Sequence, residues 1–141
     1  MKRVLLVLVI ALSMAACSVK GAKNDITDVE SKADGVEVLY FYGKQRCATC
    51  NAIEQKAKEL VATVFAEQVK EGRVAFKSVN ITENEALADK YEVSWSSLIV
   101  VARENGKESY ENMTEFGFSK ARTAPDVFKK GLEEQINKML K

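Results

Sequence analysis

Two cysteines, Cys47 and Cys50, stand three positions apart between an apolar run and a helical pattern. The run at 36–42 is almost entirely apolar or aromatic, which is typical of a central strand that is covered on both faces. From about Asn51 onward, apolar residues recur at helical spacing. Two thiols at such a strand-to-helix junction can close a small disulfide ring, and the helix N-terminus favours a thiolate on the first sulfur. The pattern predicts thiol–disulfide exchange, with Cys47 as the attacking and Cys50 as the resolving thiol.

The N-terminal segment is typical of an export signal. Lys2 and Arg3 precede an apolar run of about nine residues at 4–12, which is shorter than the roughly 20 residues that a membrane-spanning helix needs. Small residues follow and end in Ala-Ala-Cys at Cys17. This ending resembles a bacterial lipoprotein signal, in which Cys17 becomes the lipidated first residue of the mature chain. The alternative is an ordinary cleaved signal peptide in which Cys17 has no role.

Three segments follow from this interpretation: a signal peptide at 1–16, a lipidated cysteine with a flexible tether at 17–35, and one folded domain at 36–141. The tether is polar and poor in large apolar residues. The mature chain is long enough for one single-core domain and too short for two. We expect a monomer that a lipid anchor holds at a membrane in the bacterial periplasm, a compartment that is kept oxidising.

The composition excludes several classes of function. The chain has no histidine, which removes histidine general bases, Ser–His and Cys–His nucleophile pairs and most zinc-enzyme sites. The 21 basic residues nearly balance the 20 acidic ones and form no cluster, so nucleic-acid binding is not expected. We expect no cofactor and no bound metal. A non-catalytic alternative stays open: the Cys47–Cys50 pair is a structural disulfide, or two pairs in a dimer bind zinc or an iron–sulfur cluster.

The remaining pattern predicts alternating strands and helices. A crossover helix joins the first two strands, which are therefore expected to be parallel, whereas Asn105-Gly106 predicts an antiparallel hairpin. Thr82 and Glu85 have the spacing of a capping box that opens a short helix. The strands beyond the first are predicted at 73–81, 97–102 and 108–113, and the helices at about 51–72, 82–90 and 123–140. The result is an α/β fold of order β-α-β-α-β-β-α, a mixed four-stranded sheet with helices on both faces.

This order, with a Cys-x-x-Cys after the first core strand, resembles the thioredoxin fold. The stretches 79–84 and 86–93 are also similar to the thioredoxin strand, short helix and Lys-Tyr-x-Val. The likeness runs from about Val36 to the C-terminus. It implies a thiol–disulfide oxidoreductase that acts on protein disulfides, and we expect it to reduce them, although the same geometry run backwards oxidises thiols. Relatives in oxidising compartments receive electrons from an integral-membrane thiol-transfer protein, so the resemblance implies such a partner.

Three positions depart from the thioredoxin pattern. Thioredoxins have a cis-proline at the start of the third strand, where this chain has Ser97, because its only proline is Pro125. A cis bond before Ser97 would cost about 2.5–4 kcal/mol, so we expect a trans bond there. Phe41 stands where thioredoxins bury an acid, and Arg46 stands where a tryptophan precedes the first cysteine. In the family the cis-proline discourages metal capture by the two thiols, so its loss favours the metal-binding alternative.

Five residues near the cysteines are candidate site residues. Arg46, with Lys44 close in sequence, is expected to favour the thiolate on Cys47. Trp95 lies in the loop expected to face the cysteines and is predicted either to contact partners or to belong to the core. Ser96 and Ser97 are predicted to offer backbone groups to an extended substrate segment, as the cis-proline loop does in thioredoxins, or else to be ordinary loop residues.

Overall fold

A computed structural model describes residues 33–140. In chain order, the helices and strands of this part are β1 (Gly35–Tyr42), α1 (Ala48–Val64), α2 (Ala66–Lys70), β2 (Val74–Asn80), α3 (Glu85–Lys90), β3 (Ser97–Glu104), β4 (Lys107–Asn112), α4 (Thr114–Lys120) and α5 (Pro125–Met139). The predicted signal peptide and most of the predicted tether, including Cys17, lie outside the described residues. Within residues 33–140, no helix combines the length and the hydrophobicity that crossing a membrane requires.

The four strands form one mixed sheet in the order β2-β1-β3-β4. β1 pairs with β2 in parallel, as a crossover through α1 requires, and with β3 antiparallel. β3 and β4 form the predicted hairpin, in which Asn105 and Gly106 have φ values of 52° and 74°. Positive φ at both turn residues is what a two-residue type I′ turn demands. The predicted α/β fold with a mixed four-stranded sheet is confirmed.

Both faces of β1 are buried, as its nearly unbroken apolar run predicts. Val38 and Tyr40 belong to a core that α1 and α5 cover, together with Cys50. Leu39 and Phe41 alternate with them and belong to a second core on the side of α3. Each large apolar side chain buried here contributes about 1.5–3 kcal/mol. The sheet therefore fixes the position of the loop that follows β1 and carries the two cysteines.

Helix boundaries differ from the sequence prediction at several places. The helix predicted at about 51–72 is divided into α1 and α2, and α5 begins at Pro125 with Ala124 as its N-cap. α1 begins at Ala48, three residues earlier than expected, and Cys47 is its N-cap. α3 begins at Glu85, after a turn in which the backbone N–H of Thr82 donates to the side chain of Asn80 at 3.1 Å. The predicted capping box at Thr82 is therefore wrong, because the preceding asparagine takes that N–H and sets the turn.

α4 is a helix that the periodicity did not predict. It is short and has a glycine, Gly117, at its centre, and both features lower the helix propensity of the segment. A Cβ at Gly117 would lie 3.3 Å from the side chain of Ile53 in α1. The missing side chain lets α4 pack closely on α1, so tertiary contact rather than propensity selects this helix.

Glu37, the polar exception in β1, is buried but paired. Its carboxylate forms ion pairs with Arg103 of β3 and with Lys77 of β2, the latter at 2.6 Å. Arg103 also contacts Glu108 of β4 at 3.0 Å. Burial opposes the charge of Arg103, but Glu37 and Glu108 outweigh it, and the pKa of Arg103 is raised. Burial likewise opposes the charge of Glu108, yet hydrogen bonds from Lys90 and Tyr91 leave the pKa of Glu108 lowered.

Candidate active site

Cys47 and Cys50 lie together at the N-terminus of α1. They are joined by a disulfide, and their Cα atoms are 5.0 Å apart. Cys47 is exposed, whereas Cys50 is only 5% exposed. The backbone N–H of Cys50 donates to Sγ of Cys47 at 3.1 Å. This N–H and the helix dipole favour negative charge on the Cys47 sulfur once the ring is open, and the first turn of α1 has no acidic residue to oppose them.

The disulfide lies in an open groove of about 500 Å³. We call it the cysteine groove, and the residues that line it are Gly43, Gln45, Cys47, Cys50, Ile81, Thr82, Ser94, Trp95, Ser96 and Phe118. None of these lining residues carries a charged side chain. Uncharged, partly aromatic walls suit an apolar or neutral polypeptide segment better than a charged small molecule.

Trp95 is the most exposed large apolar side chain among the described residues, at 58% exposure. Its ring contacts the ring of Phe118 in α4, with the centroids 5.3 Å apart. The core alternative for Trp95 is therefore wrong, because the ring forms a wall of the cysteine groove. An exposed tryptophan beside reactive atoms is typical of a residue that contacts a partner.

The two predicted serines occupy different places. Ser96 is nearly buried and lines the cysteine groove. Ser97 is the first residue of β3, is 3% exposed, and donates its hydroxyl to the carbonyl oxygen of Trp95 at 2.8 Å. Ser97 is therefore not brought to the groove, and its hydrogen bond shapes the loop that carries Trp95. Residues 33–140 contain no cis peptide bond, in agreement with the trans bond expected before Ser97.

The two predicted cationic residues are exposed but do not line the cysteine groove. The guanidinium of Arg46 forms an ion pair with Glu54 of α1 and lies over the ring of Tyr42, 4.5 Å from its centroid. Glu54 in turn accepts a hydrogen bond from the hydroxyl of Ser78 in β2 at 2.5 Å. The charge of Arg46 is therefore partly neutralised on the β2 side of the cysteines. That Lys44 and Arg46 favour the thiolate on Cys47 stays a prediction.

A buried tyrosine lies on the same side of the sheet as Cys50. Phe41, at the position of the thioredoxin acid, points into the opposite core and packs edge-on against Tyr91 at 6.1 Å. Tyr40 shares the core of Cys50 and is fully buried. Burial raises the pKa of Tyr40, and the nearby Ser96 hydroxyl and Arg46 guanidinium offset only part of that rise. The hydroxyl of Tyr40 is therefore neutral across the physiological pH range and can donate a hydrogen bond.

The metal-binding alternative requires further ligands beside the two cysteines. Residues 33–140 contain no group of three or more histidine, cysteine, aspartate or glutamate side chains that could hold a metal ion. Two thiolates supply only half of a tetrahedral site. A metal at Cys47 and Cys50 would need further ligands from outside residues 33–140.

Sequence reasoning missed six residues of the cysteine groove, namely Gly43, Gln45, Ile81, Thr82, Ser94 and Phe118. Ile81 and Thr82 follow the end of β2, and the carboxyl ends of parallel strands meet at one edge of a sheet, so the strand prediction contained this signal. Gln45 lies in the same loop as the cysteines. No sequence pattern indicated Phe118 as a groove residue, because it is brought to Trp95 by α4, a helix that was not predicted.

Structural comparison finds thioredoxins from several organisms. A Fasciola hepatica thioredoxin is 22% identical, with a TM-score of 0.45 over 75% of this chain and 82% of that one. A Thermus thermophilus thioredoxin is 18% identical, with a TM-score of 0.43 over 71% of this chain and 72% of that one. A malaria parasite thioredoxin-2 is 25% identical, with a TM-score of 0.40 over 69% of this chain and 84% of that one. No family model and no curated protein matches the chain. The strand order β2-β1-β3-β4 and the crossover through α1, rather than these scores, show that the chain has a thioredoxin-like fold.

Proposed function

We propose that this protein is a thiol–disulfide oxidoreductase that reduces disulfides in other proteins through Cys47 and Cys50. One observation carries the proposal: an exposed sulfur at the N-cap of α1 is joined in a short ring to a buried sulfur, inside an open groove. Exposure makes Cys47 accessible to a partner disulfide. Burial shields Cys50 from the partner while it remains close enough to displace it.

The reaction starts from the reduced protein. The Cys47 thiolate attacks one sulfur of the partner disulfide, a Cys47–partner S–S bond forms, and the partner's other sulfur leaves as a thiolate that takes up a proton. Cys50 then loses its proton and attacks Sγ of Cys47, so that the Cys47–Cys50 bond forms and the second partner thiolate is released. Two electrons pass from the protein dithiol to the partner disulfide. A dithiol donor must return them before the next cycle.

Cellular location is part of the proposal. The lipoprotein-like ending at Cys17 supports a periplasmic protein that is held at a membrane by lipid. In an oxidising compartment a reductant needs electrons from across the membrane, so the proposed donor is an integral-membrane thiol-transfer protein. Tethering would raise the local concentration of the domain near such a donor.

Turnover of a protein disulfide tests the proposal. Full-length protein is supplied with a chemical reductant and insulin, and the rate of insulin reduction is compared among Cys47→Ser, Cys50→Ser and Cys17→Ser. We expect Cys47→Ser to be inactive and Cys50→Ser to accumulate mixed disulfides with insulin. Cys17→Ser is the matched control and should retain the native rate, because it removes a cysteine outside the pair. Equal rates for the native protein and Cys47→Ser would refute the proposal.

The assignment of the two roles has its own test. Reduced protein is alkylated at mildly acidic pH, where only a thiol with a lowered pKa reacts quickly. We expect Cys47 to be modified first. Faster modification of Cys50 would reverse the roles.

A further inference from the structure

We infer that Glu54 is a positioning residue that sets the acidity of Cys47 by holding the guanidinium of Arg46 away from the sulfur. The inference rests on the proposed function of the Cys47–Cys50 pair. It concerns Glu54, which the motif itself does not include, because the residue lies two helical turns beyond Cys47 in α1.

Three contacts fix the guanidinium of Arg46. Its Nη2 atom is paired with Oε2 of Glu54. Its central carbon lies 4.5 Å from the centroid of the Tyr42 ring, a distance at which a cation is attracted by the aromatic face. A longer contact of 6.0 Å reaches the ring of Tyr40. Arg46 is adjacent to Cys47 in the chain, yet its side chain is bound on the β2 side of the cysteines and does not line the cysteine groove.

Glu54 is itself held in place. Its Oε1 atom accepts a hydrogen bond from the hydroxyl of Ser78 in β2 at 2.5 Å, while Oε2 pairs with Arg46. The side chain of Glu54 is 20% exposed and that of Arg46 is 33% exposed. Partial burial reduces solvent screening, so the two charges of this pair attract each other more strongly than those of a fully exposed ion pair. One carboxylate thus joins the loop before Cys47 to both α1 and β2.

The loop before Cys47 carries Lys44 and Arg46, and Glu54 of α1 is the counter-charge that pairs with Arg46. The β2–α3 turn, the loop before β3 and α4 contribute only uncharged residues to the cysteine groove. Removing the carboxylate of Glu54 therefore raises the net charge of these three groups from +1 to +2 and frees the guanidinium to move toward the sulfur. Both effects stabilise the thiolate.

The variant Glu54→Gln tests this inference. It keeps the size of the side chain and removes the charge. We expect the pKa of Cys47 to fall by about half a unit. The lost charge, about 10 Å away along α1, accounts for less than half of this fall because water and salt screen it, and the released guanidinium accounts for the rest. The reduced form then gains about threefold over the disulfide form, which raises the reduction potential by about 14 mV. The pKa is measured from the ultraviolet absorbance of the thiolate during a pH titration, and the potential by equilibration with glutathione redox buffers.

Two further variants separate positioning from a general charge effect. Glu59→Gln is the matched control, since Glu59 lies on the same helix and pairs with Lys129 at 3.1 Å, and it should leave both values unchanged. In an Arg46→Met background, Glu54→Gln should lower the pKa by less than half as much, because no guanidinium remains to be released. An unchanged pKa in Glu54→Gln, or an equal fall in both backgrounds, would overturn the inference.

These readouts do not depend on protein turnover. If insulin reduction fails while the pKa and potential respond as expected, the proposed function is wrong and the inference about Glu54 stands. If insulin is reduced but Glu54→Gln has no effect on either value, the inference alone is wrong.

Discussion

Replacement of Trp95 by alanine should impair reduction of protein disulfides while sparing small ones. The ring is 58% exposed beside the disulfide, and its buried part contacts Phe118. A tryptophan side chain buries at most about 250 Å². The exposed part therefore offers about 140 Å² to a partner, with an upper limit of about 3.5 kcal/mol at about 25 cal/mol/Å².

Only part of that limit will be realised, because a partner segment does not cover the whole ring and loses conformational freedom when it binds. We expect a loss of about 1–2 kcal/mol in transition-state binding, which corresponds to about a tenfold fall in kcat/KM for a peptide disulfide. Loss of the Phe118 contact should lower the free energy of unfolding by only about 1 kcal/mol.

The assay compares two substrates and one control variant. Reduction rates are measured for a peptide disulfide flanked by leucine and for bis(2-hydroxyethyl) disulfide, which has no apolar side chains to pack on the indole. Tyr110→Ala is the control, since Tyr110 is also an exposed aromatic residue, at 44%, but it packs on Tyr91 outside the cysteine groove. Equal losses for both substrates in Trp95→Ala, or no loss for the peptide, would refute the assigned role of Trp95.

Three further predictions concern stability, and urea denaturation measures each. Arg103→Met should lower the free energy of unfolding by about 3 kcal/mol, because it leaves the buried carboxylate of Glu37 with Lys77 alone, and combining it with Glu37→Leu should recover most of the loss. Phe128→Ala should cost about 3–5 kcal/mol, since the ring is fully buried, whereas its neighbour Val127→Ala, at an exposed site, should cost less than about 0.5 kcal/mol. The lowered pKa of Glu108 means that its ionised form stabilises the fold above about pH 4.5, and this stability is lost as pH falls through the folded-state pKa. Glu108→Gln should therefore lose less stability than the native protein on acidification; equal acid sensitivity would contradict this.

Local patterns were sufficient for much of the architecture. The apolar run of β1, the Cys-x-x-Cys before α1 and the Asn-Gly turn between β3 and β4 each depend on residues that are neighbours in the chain. Backbone geometry and burial on both faces act at that range, so the pattern alone predicted the parallel pair of β1 with β2 and the antiparallel pair of β3 with β4.

The first residues of the helices, and the presence of α4, were harder to predict from the sequence. Asn80 accepts the hydrogen bond from the backbone N–H of Thr82 that the capping-box pattern pairs with the side chain of Glu85, and two such local signals cannot be ranked without coordinates. α4 forms despite Gly117 because the close approach to Ile53 compensates for its low propensity. Such compensation comes from a residue far away in the chain.

The amino-acid sequence by itself determined the α/β class, the four strands in their order along the chain, and the position of two thiols near the start of α1, because periodicity, turn chemistry and motif spacing are short-range properties. Only the tertiary structure decided which side chains surround those thiols. It placed Phe118 against Trp95, directed Ser97 away from the cysteine groove, and paired Arg46 with Glu54 rather than leaving it free beside Cys47. These contacts join different elements, and their geometry follows from how the helices pack on the sheet, which no local pattern encodes.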